Sequence, residues 1–358
     1  MRLDRIAPGT PAQAHLAGAV LTRDLTVGGR KWSKGRVLSV EDLSLLAGEP
    51  PPALTTDGNR DRRGITVICM DPGEIHEDEA ARRLADAVRG GDEGVVVRGP
   101  AQSRVDLVAA VHGVVAVRVG ALERLNRIDP LEVFTVFDGQ VVSAGDLVAS
   151  IKVGPHVVAG EVVAAGERIA RRGGALVRVR PFRSVAVAVV VKQAIDGAAR
   201  ARFEASVRAK VEGLGSRLTA IRYVPDRTDA VVEAFRASLG GADPAAIVLT
   251  AGGASTDPAD PFYEAVVELG GRVVRRGVPS HPGSMVWLGR VGRASVLGLP
   301  SCGAFSKATA ADLLLPRLIA GEPPTAATVA RLGHGGILTR SQRFRFPTYA
   351  RDLDAPDG

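Results

Sequence analysis

The densest chemistry in the chain lies in one run, Thr250-Ala-Gly-Gly-Ala-Ser-Thr-Asp-Pro-Ala-Asp260. Gly252 and Gly253 allow a sharp backbone turn and close approach to a ligand. Backbone N–H groups at the start of the helix that follows favour an anion. Thr250, Ser255 and Thr256 add hydroxyl groups. The run is neither GxGxxG nor GxxxxGK[ST], so it is not a standard dinucleotide or P-loop signal. Asp257 before Pro258 reads as a helix start, a cap followed by proline at the first helical position. Asp260 then falls in the first turn, where an acid suits the helix dipole. The alternative for Asp260 is chemical: beside a phosphate cradle, its carboxylate is a candidate Mg²⁺ ligand.

Two further clusters sit at turns. Gly298-Leu-Pro-Ser-Cys-Gly303 again reads as strand, turn and helix, with Pro300 and Ser301 in the turn and Lys307 at the helix start. Lys307 is either a solvated surface cation or a phosphate contact. Val278-Pro-Ser-His-Pro-Gly283 is a turn between strands that puts His281, Pro282 and Gly283 in a loop or at a ligand's edge. Cys302 has no histidine near it in sequence, so no Cys–His nucleophile can be argued. With Cys69 it makes no zinc pattern or disulfide framework, and both are expected to be thiols.

The elements that must position these residues are short Val/Ile-rich strands alternating with helices. Strands are expected at Val185–Val191, Leu218–Tyr223, Ala246–Thr250, Arg272–Arg276, Ser284–Leu288 and Ala294–Leu299. Helices are expected at Gly197–Leu214, Thr228–Leu239, Pro258–Leu269 and Lys307–Ile319. This alternation predicts an α/β fold, a doubly wound, mostly parallel sheet covered on both faces. Ligands of such sheets bind off the carboxyl ends of the strands at a topological switch point, here the loops after Thr250 and Leu299. A smaller mixed α/β region precedes the sheet. The expected divisions are a strand-rich segment 1–64, a mixed region 65–182, the α/β domain 183–322 and a loop-like tail 323–358. Within the mixed region the pattern reads Val105–His112 and Val157–Ala170 as helical, and Val133–Val142 with Asp146–Val153 as a hairpin.

Composition removes several classes. The 358 residues are 46% hydrophobic and 24% charged, ordinary for packed domains. The longest aliphatic run, Val185–Val191, is far below the ~20 residues of a membrane span. The first residues hold no long apolar segment of the secretory kind, so a soluble cytoplasmic protein is expected. The net charge is +7. Residues 1–182 hold 24 basic and 23 acidic residues, against 22 and 16 in residues 183–358, so +6 of the excess sits in the second half. That placement favours an anionic ligand there. With 14 aromatic residues and no basic stretch interleaved with them, a nucleic-acid surface lacks its stacking residues.

Taken together, Thr250-Ala-Gly-Gly-Ala-Ser with Asp260, His281-Pro-Gly and Gly298-Leu-Pro resemble the domain shared by molybdopterin adenylyltransferases and molybdopterin molybdenumtransferases. There the runs are TGG-x-S-x-G-x-x-D, KPG and GLPGNP. The chain is also similar to a group of bacterial molybdenumtransferase-like proteins through Ser255–Asp260, Gly298–Cys302, Leu315–Glu322 and Leu332-Gly-His-Gly-Gly336. The resemblance implies molybdopterin or its adenylylated form as ligand, Mg²⁺, molybdate as the inserted oxyanion and a homodimer. It makes Asp260 the metal and catalytic carboxylate. It also makes Thr250, Gly252, Gly253, Ser255, Asp257, His281, Pro282, Gly283, Pro300, Ser301 and Lys307 the ligand-binding set. Lys192-Gln-Ala-Ile-Asp196-Gly stands where the family has STG-x-E. Two roles in molybdenum cofactor biosynthesis follow: a Mg²⁺-dependent transferase that inserts molybdate, or a non-catalytic carrier that delivers the cofactor to a molybdoenzyme.

Overall fold

The computed structural model describes residues 1–7, 10–48, 64–101, 103–253, 256–300, 308–322 and 325–352. Two compact units result. The first comprises Met1–Ala110, Val117–Val136 and Gly145–Arg178; the second comprises Val111–Ala116, Phe137–Ala144 and Val179–Gly358. Among the described residues, no helix is long and apolar enough to cross a membrane.

In the first unit, β1 (Arg2–Ile6) and β2 (Val20–Leu21) flank β3 (Ile65–Cys69) in one antiparallel sheet. The expected division between residues 64 and 65 is therefore not a seam, because the N-terminal strands complete their hydrogen bonds on Ile65–Cys69. A second antiparallel sheet contains β4 (Val95–Ala101), β5 (Arg104–Ala109), β6 (Leu131–Thr135) and β7 (Leu147–Val153), in the order β6-β7-β5-β4. Residues 105–109, expected to be helical, are a strand; pairing on both edges, with β4 and β7, overrides the local propensity. Likewise Val157–Ala159 is a strand on Glu74–His76, and a helix occupies only Gly160–Arg171.

The second unit carries the six-stranded sheet. Its strands are β8 (Ala186–Val191), β9 (Arg217–Tyr223), β10 (Ile247–Ala251), β11 (Arg272–Arg276), β12 (Trp287–Val291) and β13 (Ala294–Gly298). The order is β9-β8-β10-β13-β12-β11. β9, β8, β10 and β13 run parallel, while β12 is antiparallel to both its neighbours. Every residue of β8 and β10 is buried, as continuous apolar runs require when both faces are covered. Four helices belong to this sheet: α1 (Gly197–Glu212), α2 (Thr228–Leu239), α3 (Pro261–Glu268) and α4 (Ala310–Ile319). One core joins Val187, Val189, Val191 and Leu249 to Phe203 and Val207 of α1 and to Leu314 of α4. The other joins Val190 and Val248 to Phe235 of α2 and to Phe262 and Val266 of α3. Each such fully buried side chain contributes about 1.5–3 kcal/mol. The expected loop-like tail is in fact partly helical, at Ala326–Arg331 and Arg340–Arg345. It packs Val329, Leu332, Phe346 and Ala350 into the first of these cores.

Candidate functional site

The carboxyl ends of β8 and β10 lie side by side, with Val190 opposite Thr250 and Val191 opposite Ala251. Because side chains alternate along a strand, Lys192 and Thr250 both point to the face covered by α2 and α3. The glycine loop follows. Gly252 has φ +91°, and a Cβ there would lie 2.6 Å from that of Gln193. A Cβ on Gly253 would lie 2.8 Å from the Phe262 ring and 3.1 Å from Oδ2 of Asp260. The loop thus lies directly against the start of α3, and any larger residue at either position would displace it.

Helix α3 begins three residues later than the sequence suggested. Asp260, not Asp257, is its N-cap; Oδ1 accepts the N–H of Phe262 at 2.9 Å, and Pro261 takes the first helical position. Asp257 is exposed and accepts the N–H of Ala259 at 2.9 Å. The run holds two Asp-Pro steps, and the second prevails because starting there buries Phe262, Tyr263 and Val266.

The second carboxylate oxygen of Asp260 meets a cation that the sequence reading left out of the site. Lys192 Nζ stands 2.9 Å from Asp260 Oδ2 and 2.8 Å from Asp226 Oδ1. It also stands 5.3 Å from the centre of the Phe262 ring. The Lys192 and Asp260 side chains are each only 5% exposed, whereas Asp226 is 61% exposed. Burial works against the Lys192 ammonium, but hydrogen bonds to Asp226 and Asp260 outweigh it and hold its pKa above the ordinary lysine value. The signal in sequence was a lysine, one of six in the chain, ending a buried Val run. Its partner Asp226 lies 34 residues further on and carries no motif.

Two hydroxyls in the same region are buried without a hydrogen-bond partner, Thr250 Oγ1 and Tyr263 Oη. Burial first, and then the Asp260 charge, push Tyr263 up to about 12, with Arg276 over its ring opposing the shift. Orphaned buried hydroxyls are costly, and a site that expects a ligand is one place where they persist.

The remaining expected residues fall elsewhere or outside view. Pro300 is buried beyond β13, whose following residue, Leu299, donates its N–H to the Thr250 carbonyl at 2.8 Å. His281 is exposed; its N–H donates to the Gly336 carbonyl, and the Pro282 carbonyl accepts the N–H of Ala310 at the start of α4. Gly283 packs against that same start. Among the described residues, His281, Pro282 and Gly283 make no hydrogen bond with Asp260. Ser255, Ser301, Cys302 and Lys307 lie outside the described residues.

These side chains do not fit magnesium at Asp260. One of its oxygens caps a helix and the other is held by an ammonium. Among the described residues, no group of three or more His, Cys, Asp or Glu side chains could hold a metal ion. The cation already present is Lys192.

The second unit is thus an α/β domain whose carboxyl sheet edge brings together a glycine loop, a capping aspartate and a buried lysine. Residues 184–320 match the family described as probable molybdopterin binding domain, which supports the resemblance read from the motifs of this region. Among solved structures, the molybdopterin biosynthesis moea protein from Pyrococcus horikosii is similar at 14% identity and a TM-score of 0.30, over 70% of this chain and 80% of that one. Molybdenum cofactor biosynthesis protein B is similar at 20% identity and a TM-score of 0.28, over 39% of this chain and 96% of that one. No curated protein sequence matches the chain.

Proposed function

We propose that the second unit binds the phosphate end of molybdopterin at the carboxyl edge of β8 and β10, and that it carries this ligand rather than transforming it. The observation that carries the reading is Lys192 locked between Asp226 and Asp260. A buried ammonium is a permanent positive charge, so the site needs no metal to receive an anion. The exposed Asp226 is the partner an incoming phosphate would replace, since a solvated carboxylate is released at little cost. The Gly252–Gly253 turn supplies backbone N–H groups, and the orphan Thr250 hydroxyl supplies a hydrogen bond. Each oxygen of Asp260 already has a donor, and Lys192 holds the position a cation would take, which argues against Mg²⁺-dependent insertion of molybdate. The motif match over residues 184–320 supplies the pterin.

The test is an anaerobic titration with molybdopterin and with its adenylylated form, in EDTA and in Mg²⁺, with AMP release followed in parallel. Binding of either ligand without AMP release supports a carrier. Mg²⁺-dependent AMP release would assign the transferase role instead.

A further inference from the structure

At the opposite edge of the same sheet, the amino ends of β8, β10 and β13 surround a cavity of about 200 Å³. It is an order of magnitude roomier than the ~10–15 Å³ that one bound water requires. Its lining includes Arg183, Arg290, Arg293, Ser295, Ile247 and Gly321, with no Asp or Glu among the described residues that form it. Strands of this length rise about 3.3 Å per residue, so this edge lies about 20 Å from Lys192. The cavity is therefore separate from the pterin site.

Arg183 and Arg293 are exposed and Arg290 is half-buried, so the three arginines put positive charge around one cavity. The nearby acids are already engaged. Both oxygens of Glu322 accept from Arg317 at 3.2 Å, and Asp243 accepts from Arg217 at 3.1 and 2.9 Å. Among the described residues, the guanidinium groups of Arg183, Arg290 and Arg293 have no hydrogen-bond or ion-pair partner. Their arrangement is nonetheless built. Gly321 has φ +76°, and a Cβ there would lie 2.3 Å from Cζ of Arg183, so the guanidinium rests on a backbone that only glycine leaves open. Arg290 is half-buried on β12, and Ser295 offers a hydroxyl beside it.

We infer that this cavity is a second anion site, which takes a diphosphate group through Arg183, Arg290 and Arg293. Guanidinium forks match phosphate oxygens two at a time, and three of them suit a group with more oxygens than one phosphate carries. The diphosphate can be free or part of a nucleoside diphosphate; the chemistry at the arginines is the same. The inference does not rest on the pterin reading, because it uses none of the same residues.

The experiment is a titration of isotope-labelled protein with pyrophosphate and, separately, with ADP, followed by backbone amide shifts. The expected result is saturable movement at Ile247, Ser295 and Gly321, weakened by added salt and at least ~10-fold weaker in the double variant Arg183→Gln, Arg293→Gln. Lys192→Met should leave these shifts unchanged. Tighter binding of ADP assigns a nucleotide, and equal binding assigns the free diphosphate; both support the site. Shifts confined to Gly252 and Gly253, or binding that survives the double variant, would overturn it. Loss of molybdopterin binding with these shifts intact would overturn only the pterin reading.

Discussion

Two buried lysines in the second unit face aspartates, and their surroundings differ in one respect. Lys210 and Asp312 are each 1% exposed and lie 2.5 Å apart, between α1 and the start of α4. Asp312 Oδ2 also accepts the N–H of Thr309 at 2.9 Å in a capping box, and Lys210 faces the Tyr349 ring. Lys192 and Asp260 are nearly as buried, yet a third group, Asp226, stands in solvent. The first pair is saturated and serves to join elements. The second has a partner that can be exchanged. On the proposed reading, burial alone does not separate a structural ion pair from a binding cation, and the exposed Asp226 partner does.

The largest effects on stability should come from breaking either buried pair. Lys210→Met leaves Asp312 buried and uncompensated, and should cost about 3–5 kcal/mol in denaturant unfolding. It should leave the pterin affinity of the folded protein unchanged. Lys192→Met should cost a similar amount, because Asp260 is left equally buried and keeps only the Phe262 N–H. It should also abolish measurable pterin binding in calorimetry. Equal binding losses in the two variants would erase the distinction drawn here.

Asp226→Asn removes only an exposed partner and should change stability by under ~1 kcal/mol. Pterin affinity should rise, since the phosphate no longer competes with a carboxylate for Lys192. Thr250→Val should leave stability near wild type, because the lost hydroxyl is unpaired, and should weaken binding by about 1 kcal/mol.

The smallest effect is in pH dependence. Lys192 is held above its ordinary pKa, so its contribution is complete below that value and fades as pH rises through the folded one. Tyr263 behaves alike: the unfolded chain loses this proton near pH 10.0 and the folded one near about 12, so stability falls between them. Wild-type stability measured by denaturant midpoints should decline above pH ~10. In Lys192→Met the decline should be shallower, and phenolate absorbance should show Tyr223, Tyr263 and Tyr349 all titrating above the ordinary tyrosine range.

Much of the second unit was legible in the chain. Helix α2 falls where its periodicity places it, Thr228–Leu239, and the central Val runs are the buried strands β8 and β10. The glycine loop and Asp260 do meet at the carboxyl edge, as the switch-point rule requires. What was hidden is long-range. Residues 105–109 look helical until β4 and β7 pair with them. The choice between Asp257 and Asp260 as cap depends on what α3 buries. Lys192 reads as a departure from the family pattern until Asp226 and Asp260 are brought to it, and no local pattern encodes that meeting.

The most direct measurement is the dissociation constant of molybdopterin, determined anaerobically by calorimetry in EDTA and in excess Mg²⁺. With Lys192 as the built-in cation, the two values should agree. Tightening by about tenfold or more on adding Mg²⁺, about 1.4 kcal/mol, would show that a metal rather than Lys192 receives the phosphate, and would contradict the account.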